Sequence, residues 1–273
     1  MSNYFFSIIT INFNNDNGLI KTLESIKDQS CNDYQLVVVD GNSRDESKKI
    51  INNSDIISKK IIEDDEGIYD ALNKGIGQAE GDYILALNSG DVFVDIQVLY
   101  KTKKNIIDDN KNHDIYFGNA TIKIENKITN WKVPQKNLIN TDKWIENHNP
   151  CHQTAFIHKK IYKEYNYNKY FQILGDSDFW HKVKNKYTFK YLDLDIVYYD
   201  LEGISSLPSS LKQTLQYAYE EFLIKGLYKK QTPYKIWLNS IPILLKHLIK
   251  LLARKILGRN FYFLLLKKYN QNK

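Results

Sequence analysis

Residues 34–40 read YQLVVVD, and this stretch decides the fold. Four aliphatic residues in a row, Leu36 to Val39, leave no polar face. A strand built from them is covered on both sides, as in a parallel sheet between helical layers. Upstream, FFSIITINF (5–13) is a β-branched and aromatic run, and residues 16–27 carry Leu19, Ile20, Leu23 and Ile26 on one helical face. Downstream, SRDESKKIIN (43–52) predicts a helix capped at Ser43, ISKKIIE (57–63) a third strand, 67–80 a helix and 82–87 a fourth strand. Strands alternating with helices at this interval predict an α/β fold with a central, mainly parallel sheet.

Ligands of such sheets bind beyond the carboxyl ends of the strands. Those ends are NFNN (12–15), DGNS (40–43), EDDEG (63–67) and NSGD (88–91), all polar and three of them acidic. One polar strand end is a turn; four on one rim describe a site. In the second half, 115–124 and 128–133 read as strands, HQTAFIH (152–158) as the start of another, ILGDSDFWHKV (173–183) as the entry to a helix and FKYLDLDIVYYD (189–200) as an alternating strand.

With 273 residues, 42% of them hydrophobic and 13% aromatic, the chain can bury a large core, and general disorder is excluded. Cys31 and Cys151 lie far apart and in no metal-ligand spacing, which suggests a reducing compartment. The start, MSNYFFSIITINFNN, lacks the pattern of a secretion signal, so a cytoplasmic location is expected. The net charge of +6 is uneven: of 38 Lys and Arg, nine fall in 234–273, where there is no Asp or Glu, leaving 29 against 32 acidic residues in the rest. A near-neutral body argues against nucleic acid as a partner; a basic, apolar tail points to an anionic membrane surface.

The stretches SIITINFNN (7–15), LVVVDGNSRDES (36–47), EDDEGIYDALNKGIGQAEGDYILALNSGD (63–91), HQTAF (152–156), GDSDFW (175–180) and YYDLEGISS (198–206) resemble, in order, the family 2 glycosyltransferases of the GT-A (Rossmann-like) fold. The block at 63–91 looks like the subgroup of bacterial surface-polysaccharide biosynthesis. The resemblance implies an inverting transfer of a hexose or N-acetylhexosamine from a nucleotide-diphosphate sugar, UDP- above all, to a lipid-diphosphate-linked saccharide in O-antigen or capsule-type synthesis.

Breaking a sugar–diphosphate bond builds negative charge on the leaving group, which a divalent cation can neutralise. Mn2+ or Mg2+ takes carboxylates together with phosphate oxygens, and Asp91 is the natural ligand. By resemblance Asp91 matches the last Asp of the family's Asp-X-Asp motif, and Asn88 replaces a carboxylate that faces the donor. Resemblance also places Asp40, with Thr10, Asn12 and Asn14, at the nucleotide, and Asp65 beside the base. Asp70 and Asn73, three apart on one helical face, are expected to turn toward one ligand, with Lys74 near the diphosphate. Leu72 stands where the family more often has Arg. Asp176 matches the base for the acceptor hydroxyl, with Asp178 as its alternative, although Asp176 also suits a helix N-cap. His152 and Gln153 are expected to face acceptor, diphosphate or, for His152, metal. Ser205 and Ser206 are expected in a loop over the diphosphate.

These readings give a glycosyltransferase domain over 1–210, split at about 110 into a nucleotide-binding and an acceptor lobe, and a helical, basic tail over 211–273. In the tail, Leu244, Leu245, Leu248, Leu251 and Leu252 are expected on one face, with Lys246, His247, Lys250 and Arg254 opposite. That amphipathic helix suits either the inner face of the cell membrane or a second subunit as a homodimer. The alternative to an enzyme is a non-catalytic nucleotide-sugar-binding or scaffold protein of a polysaccharide assembly complex.

Overall fold

The computed structural model describes residues 4–124, 127–134, 140–200, 210–229, 233–258 and 262. In chain order the elements are β1 (Phe6–Asn12), α1 (Asp16–Lys27), β2 (Tyr34–Asp40), α2 (Ser47–Asn53), β3 (Lys59–Ile62), α3 (Ile68–Ile76), β4 (Tyr83–Ala86), β5 (Val92–Phe93) and α4 (Val98–Ile107). They continue as β6 (Ile115–Ile124), β7 (Lys127–Val133), α5 (Thr141–Asn147), a 3-10 turn (His152–Thr154), β8 (Ala155–His158), α6 (Lys159–Tyr162), α7 (Gly175–Val183), β9 (Phe189–Asp200), α8 (Leu211–Lys229) and α9 (Pro233–Leu257).

Among the described residues one sheet has the order β3-β2-β1-β4-β8-β6-β9-β5, with β7 paired to β6. Parallel pairing joins β3, β2, β1 and β4, and again β6 and β9. Because β8 is antiparallel to both β4 and β6, those two groups run the same way, and only β5, β7 and β8 oppose them. The sheet is therefore mainly parallel.

Leu36, Val37, Val38 and Val39 are all fully buried, as their unbroken apolar run requires. Leu36 and Val38 join Ile8, Leu85 and the α1 residues Leu19, Leu23 and Ile26 in one cluster. On the opposite face α3 lies so close that a Cβ on Gly75 would sit 2.4 Å from Ile9 Cγ2.

Several boundaries differ from expectation. The helix foreseen from Ser43 begins at Ser47, because Ser43 is bonded to Asp40 instead of capping it. The third helix stops at Ile76, capped by Gly77. His152 and Gln153 form a 3-10 turn and the strand starts only at Ala155.

By internal packing the chain divides into two units: Met1–Lys169 with Phe179–Asp200, and Tyr170–Asp178 with Leu201–Lys273. The first holds the whole sheet. The second takes in 170–178, which the sequence reading had assigned to the acceptor lobe, together with α8 and α9. In it Glu221 of α8 accepts from Lys225 (2.7 Å), Lys246 (2.9 Å) and His247 Nε2 (2.6 Å). Burial opposes ionisation of Glu221, but these three donors outweigh it and hold the carboxyl well below its usual range.

Gly81 sits where α3 hands over to β4, and a Cβ there would lie 2.4 Å from Phe6 C and 2.5 Å from Ser7 N, both backbone. Gly81→Ala is expected to lower stability by about 1–3 kcal/mol. At Gly77 the nearest atom would be 3.4 Å away, so Gly77→Ala should leave the urea midpoint unchanged or raised. Equal midpoints for the two variants would contradict this packing.

Candidate active site

The rim is organised around Asp40, the last residue of β2, which is 0% exposed. Its Oδ2 accepts from Asn12 Nδ2 and Ser43 Oγ, each at 2.7 Å, and its Oδ1 accepts from Ser43 N at 2.7 Å. Pairing of Asn12 with Asp40 in the β1–β2 register brings the two side chains level. Ser43 Oγ also accepts from Asn14 N (2.8 Å), and Asn14 Oδ1 accepts from Arg44 N (2.8 Å). Asn14 and Asn42 both have positive φ, 49° and 61°, a conformation Asn tolerates. Asp40 and Asn14 thus build the rim, while Asn12 Oδ1 and the fully buried Thr10 Oγ1 have no hydrogen-bond partner. A buried acceptor left unmade is costly without a ligand or water.

Beside this rim lies Asp65. A Cβ on Gly41 would come 2.5 Å from Asp65 Oδ2 and 3.1 Å from the ring of Phe13. Phe13 is 65% exposed, an open aromatic face next to a carboxylate. Burial pushes the Asp65 carboxyl up, and the charges of Asp70 and Asp40 add to that, against a hydrogen bond from Gly67 N and the charge of Lys74.

Asp70, Asn73 and Lys74 do not converge as expected. Asp70 accepts from Glu66 N (3.1 Å), the main reason its carboxyl is held below the usual range. Asn73 donates to Tyr167 O (2.8 Å) and accepts from Tyr167 N (3.0 Å), so both ends of its amide tie α3 to that backbone. Lys74 lies on Glu63 (2.9 Å), Asp70 (3.4 Å) and Asp64 O (2.7 Å), and the Glu63 hydrogen bond leads in raising its amine.

The loop 88–91 is fixed through its backbone. Asn15, the N-cap of α1, donates to Ser89 O (3.1 Å). Thr22 Oγ1 donates to Asp91 O (2.8 Å) and accepts from Gly90 N (2.9 Å), and Gly90 N also reaches Gly18 O (3.2 Å). Gly90 has φ 103°, a left-handed turn that suits glycine. Asp91 is buried, and Asn88 Oδ1 is a buried oxygen with no hydrogen-bond partner. No group of three or more His, Cys, Asp or Glu suited to a metal occurs among the described residues. A carboxylate and an amide oxygen on one loop still fit a hard cation that shares its other positions with phosphate oxygens and water.

Antiparallel pairing of Ile84 with Ile157 sets the residues before Ala155 level with those after Ala86. His152 and Gln153, both buried, therefore stand on the same rim as 88–91, and Cys151 Sγ donates to Gln153 Oε1 (2.9 Å). Thr22, Asn15 and Phe13 were not singled out from sequence; only Asn15 carries a local signal, as an N-cap residue ahead of Asp16.

In the second unit Asp176 and Asp178 lie in the first turn of α7. Asp176 Oδ1 accepts from Ser177 N (2.7 Å), and Asp178 Oδ1 accepts from Tyr228 Oη (2.6 Å). Ser205 and Ser206 lie outside the described residues. Of the aromatic residues that could receive a sugar, Trp131, Phe171 and Trp180 are buried. Trp144 is stacked on Phe117 (5.5 Å) and on His148 (5.0 Å).

The family model for glycosyl transferase family 2 matches residues 7–166, more than half of the chain. A PGL/p-HBAD biosynthesis glycosyltransferase of Mycobacterium bovis is 30% identical over 179 residues, which cover 64% of this chain and 67% of the relative. The putative teichuronic acid biosynthesis glycosyltransferase TuaG of Bacillus subtilis is 30% identical over 89 residues, 31% of this chain and 35% of the relative. Among solved structures, TarS 1–349 of S. aureus in complex with UDP superposes with a TM-score of 0.60 at 16% identity, covering 90% of this chain and 81% of that one. The mannosyltransferase PcManGT of Pyrobaculum calidifontis, in complex with GDP-Man and Mn2+, gives 0.60 at 12% identity, covering 97% and 79%. These structures share the GT-A fold.

A carboxyl whose pKa is raised on folding contributes its full stability below the unfolded pKa and loses it as pH rises through the folded one. Ionised Asp65 should therefore weaken the ligand-free protein at neutral pH. Asp65→Asn is expected to unfold at a higher temperature than the parent at pH 7, with the gap closing as pH falls below about 4. A gap that widens on acidification would refute the burial argument.

Proposed function

The chain belongs to glycosyltransferase family 2 and is a glycosyltransferase, and from that premise we propose an inverting enzyme that uses a UDP-hexose or UDP-N-acetylhexosamine. The acceptor we assign is a lipid-diphosphate-linked saccharide of O-antigen or capsule-type synthesis. The observation that carries this reading is the row of buried, unsatisfied oxygens, Thr10 Oγ1, Asn12 Oδ1 and Asn88 Oδ1, at the carboxyl ends of β1 and β4. Such atoms call for a polar ligand. In this reading Phe13 stacks on the base, Asp65 accepts the single N–H of uracil, and Asn12 Oδ1 accepts from a hydroxyl of the nucleotide. Asp40 holds the rim in shape. His152 and Gln153 serve the diphosphate or the acceptor. Mn2+ or Mg2+, held by Asp91 and the side-chain oxygen of Asn88, would neutralise charge on the departing diphosphate. Asp176 takes the proton of the acceptor hydroxyl as that oxygen bonds to the anomeric carbon and the bond to the diphosphate breaks on the opposite face; Asp178, committed to Tyr228, is the less suited base.

A panel of sugar nucleotides with Mn2+ and synthetic lipid-diphosphate saccharides tests this. Asp91→Ala and Asp176→Asn should each lower turnover by about 10²–10⁴-fold. Full turnover in both variants would remove the assignment.

We also assign the chain to the inner face of the cell membrane. No described helix is long and apolar enough to cross a bilayer. The five tail leucines do not share one face, because Leu251 and His247 are buried while Leu245 and Leu252 are exposed. The reason is Glu221, which draws His247 inward. Two stripes result. Ile243, His247 and Leu251 are buried, and Leu238, Ile241, Leu245, Ile249, Leu252 and Ile256 are exposed, from 43% at Leu238 to 79% at Ile256. At 3.6 residues per turn the exposed six fall within about 40° of one line. Lys235 and Lys255 border it at about 80° on either side, placed to snorkel toward headgroups. Each such cation contributes about 1 kcal/mol near an anionic surface. Two copies of this face would set Lys235 and Lys255 against one another with no acid on α9 to offset them, which favours lipid over a homodimer.

The full chain is expected to float with vesicles containing anionic lipid, and the double variant Leu245→Asp, Ile249→Asp to stay in solution with its helix content intact. A light-scattering mass of a dimer that this variant abolishes, without flotation of the parent, would assign the face to a second copy.

A further inference from the structure

Within the second unit, Glu220 of α8 is 1% exposed, and a carboxylate so deep must be compensated. Its Oε1 accepts from Gln172 N (2.7 Å) and Gln216 Nε2 (2.7 Å). Its Oε2 accepts from Ile173 N (2.9 Å) and Leu174 N (2.7 Å). Three successive backbone N–H groups therefore converge on one side chain some 46 to 48 residues away in sequence.

The place of those three residues gives the bond its meaning. Leu174 O accepts the first bond of α7, from Asp178 N (3.0 Å), so 172–174 are the last residues before the helix. Their N–H groups have no partner inside α7. Glu220 supplies it, and so fixes where α7 starts and in which direction its first turn points. Asp176 is the second residue of that turn. Two more α8 side chains act on the same turn. Tyr228 Oη bonds Asp178 (2.6 Å), and Tyr217, pushed up by burial first, is pushed further by the charge of Asp176.

We propose that Glu220 is the positioning residue for Asp176, holding the base in line through the backbone of 172–174, which makes α8 part of the catalytic apparatus and not a tail. This rests on the reading of Asp176 as the base. Glu220 touches no reacting atom. An amide at 220 would turn an NH2 onto one of the convergent N–H groups whichever way it faced. A shorter Asp would keep the charge and both acceptors.

The test uses the full chain and the sugar nucleotide that it turns over fastest. Glu220→Gln should lower kcat on the order of 100-fold, the loss associated with a misplacement of about 1 Å, while KM for the donor and UDP affinity by calorimetry stay within about twofold. Glu220→Asp should recover part of the rate. Amide exchange at 172–174 should quicken in Glu220→Gln without a change elsewhere in the chain. The double variant with Asp176→Asn should be no slower than Asp176→Asn alone, because a positioner has nothing left to position. Unchanged kcat, unchanged exchange at 172–174, or losses that multiply in the double variant would each overturn the assignment. Should Asp176→Asn retain the parent rate, the reading of the base falls, whatever Glu220→Gln does.

Discussion

A buried carboxylate at the end of β2 is the constraint on which this rim of the sheet depends. Asp40 has no exposure to water, so its charge is tolerable only while Asn12 and Ser43 supply three short hydrogen bonds. Those bonds in turn fix the end of β1, the turn that follows β2 and the left-handed Asn14. Gly41, inside that turn, leaves room for Asp65 to approach. By consuming the donors of Asn12 and Ser43, Asp40 leaves Asn12 Oδ1 as one of the unspent acceptors on the rim.

The first half of the fold was legible because its signals are local. Tyr34–Asp40 and Asp16–Lys27 appear with the expected bounds, since an unbroken aliphatic run and an Asn-capped amphipathic stretch each admit one reading. Ser43 misled because Ser is as good a partner for a buried carboxylate as for a helix start, and only the burial of Asp40 decides between them. His152 and Gln153 were placed one element off because a 3-10 turn and a strand start look alike over three residues. Helix α8 left little trace in pattern: Thr214, Ala218, Glu220 and Ile224 are buried while Leu211, Leu215, Tyr219 and Leu227 are exposed, so hydrophobicity does not mark its inner face.

The site was legible as a rim but not as a division of labour. Spacing identified Asp70, Asn73 and Lys74 as neighbours, yet it could not show that Tyr167, 94 residues on, takes both ends of the Asn73 amide. Long-range backbone bonds of this kind have no sequence signature. The same holds for Glu220, whose partners lie in a segment assigned from sequence to another lobe.

The loop carrying Asp91 is shaped by main-chain bonds to Asn15, Gly18 and Thr22, and the side-chain oxygen of Asn88 takes no part in them. Asn88 enters the loop's bonding through its backbone, its O accepting from Asp91 N at 2.9 Å. In the proposed reading, exchanging amide for acid at 88 would leave those main-chain bonds in place but bury a carboxylate that a bound cation would have to compensate.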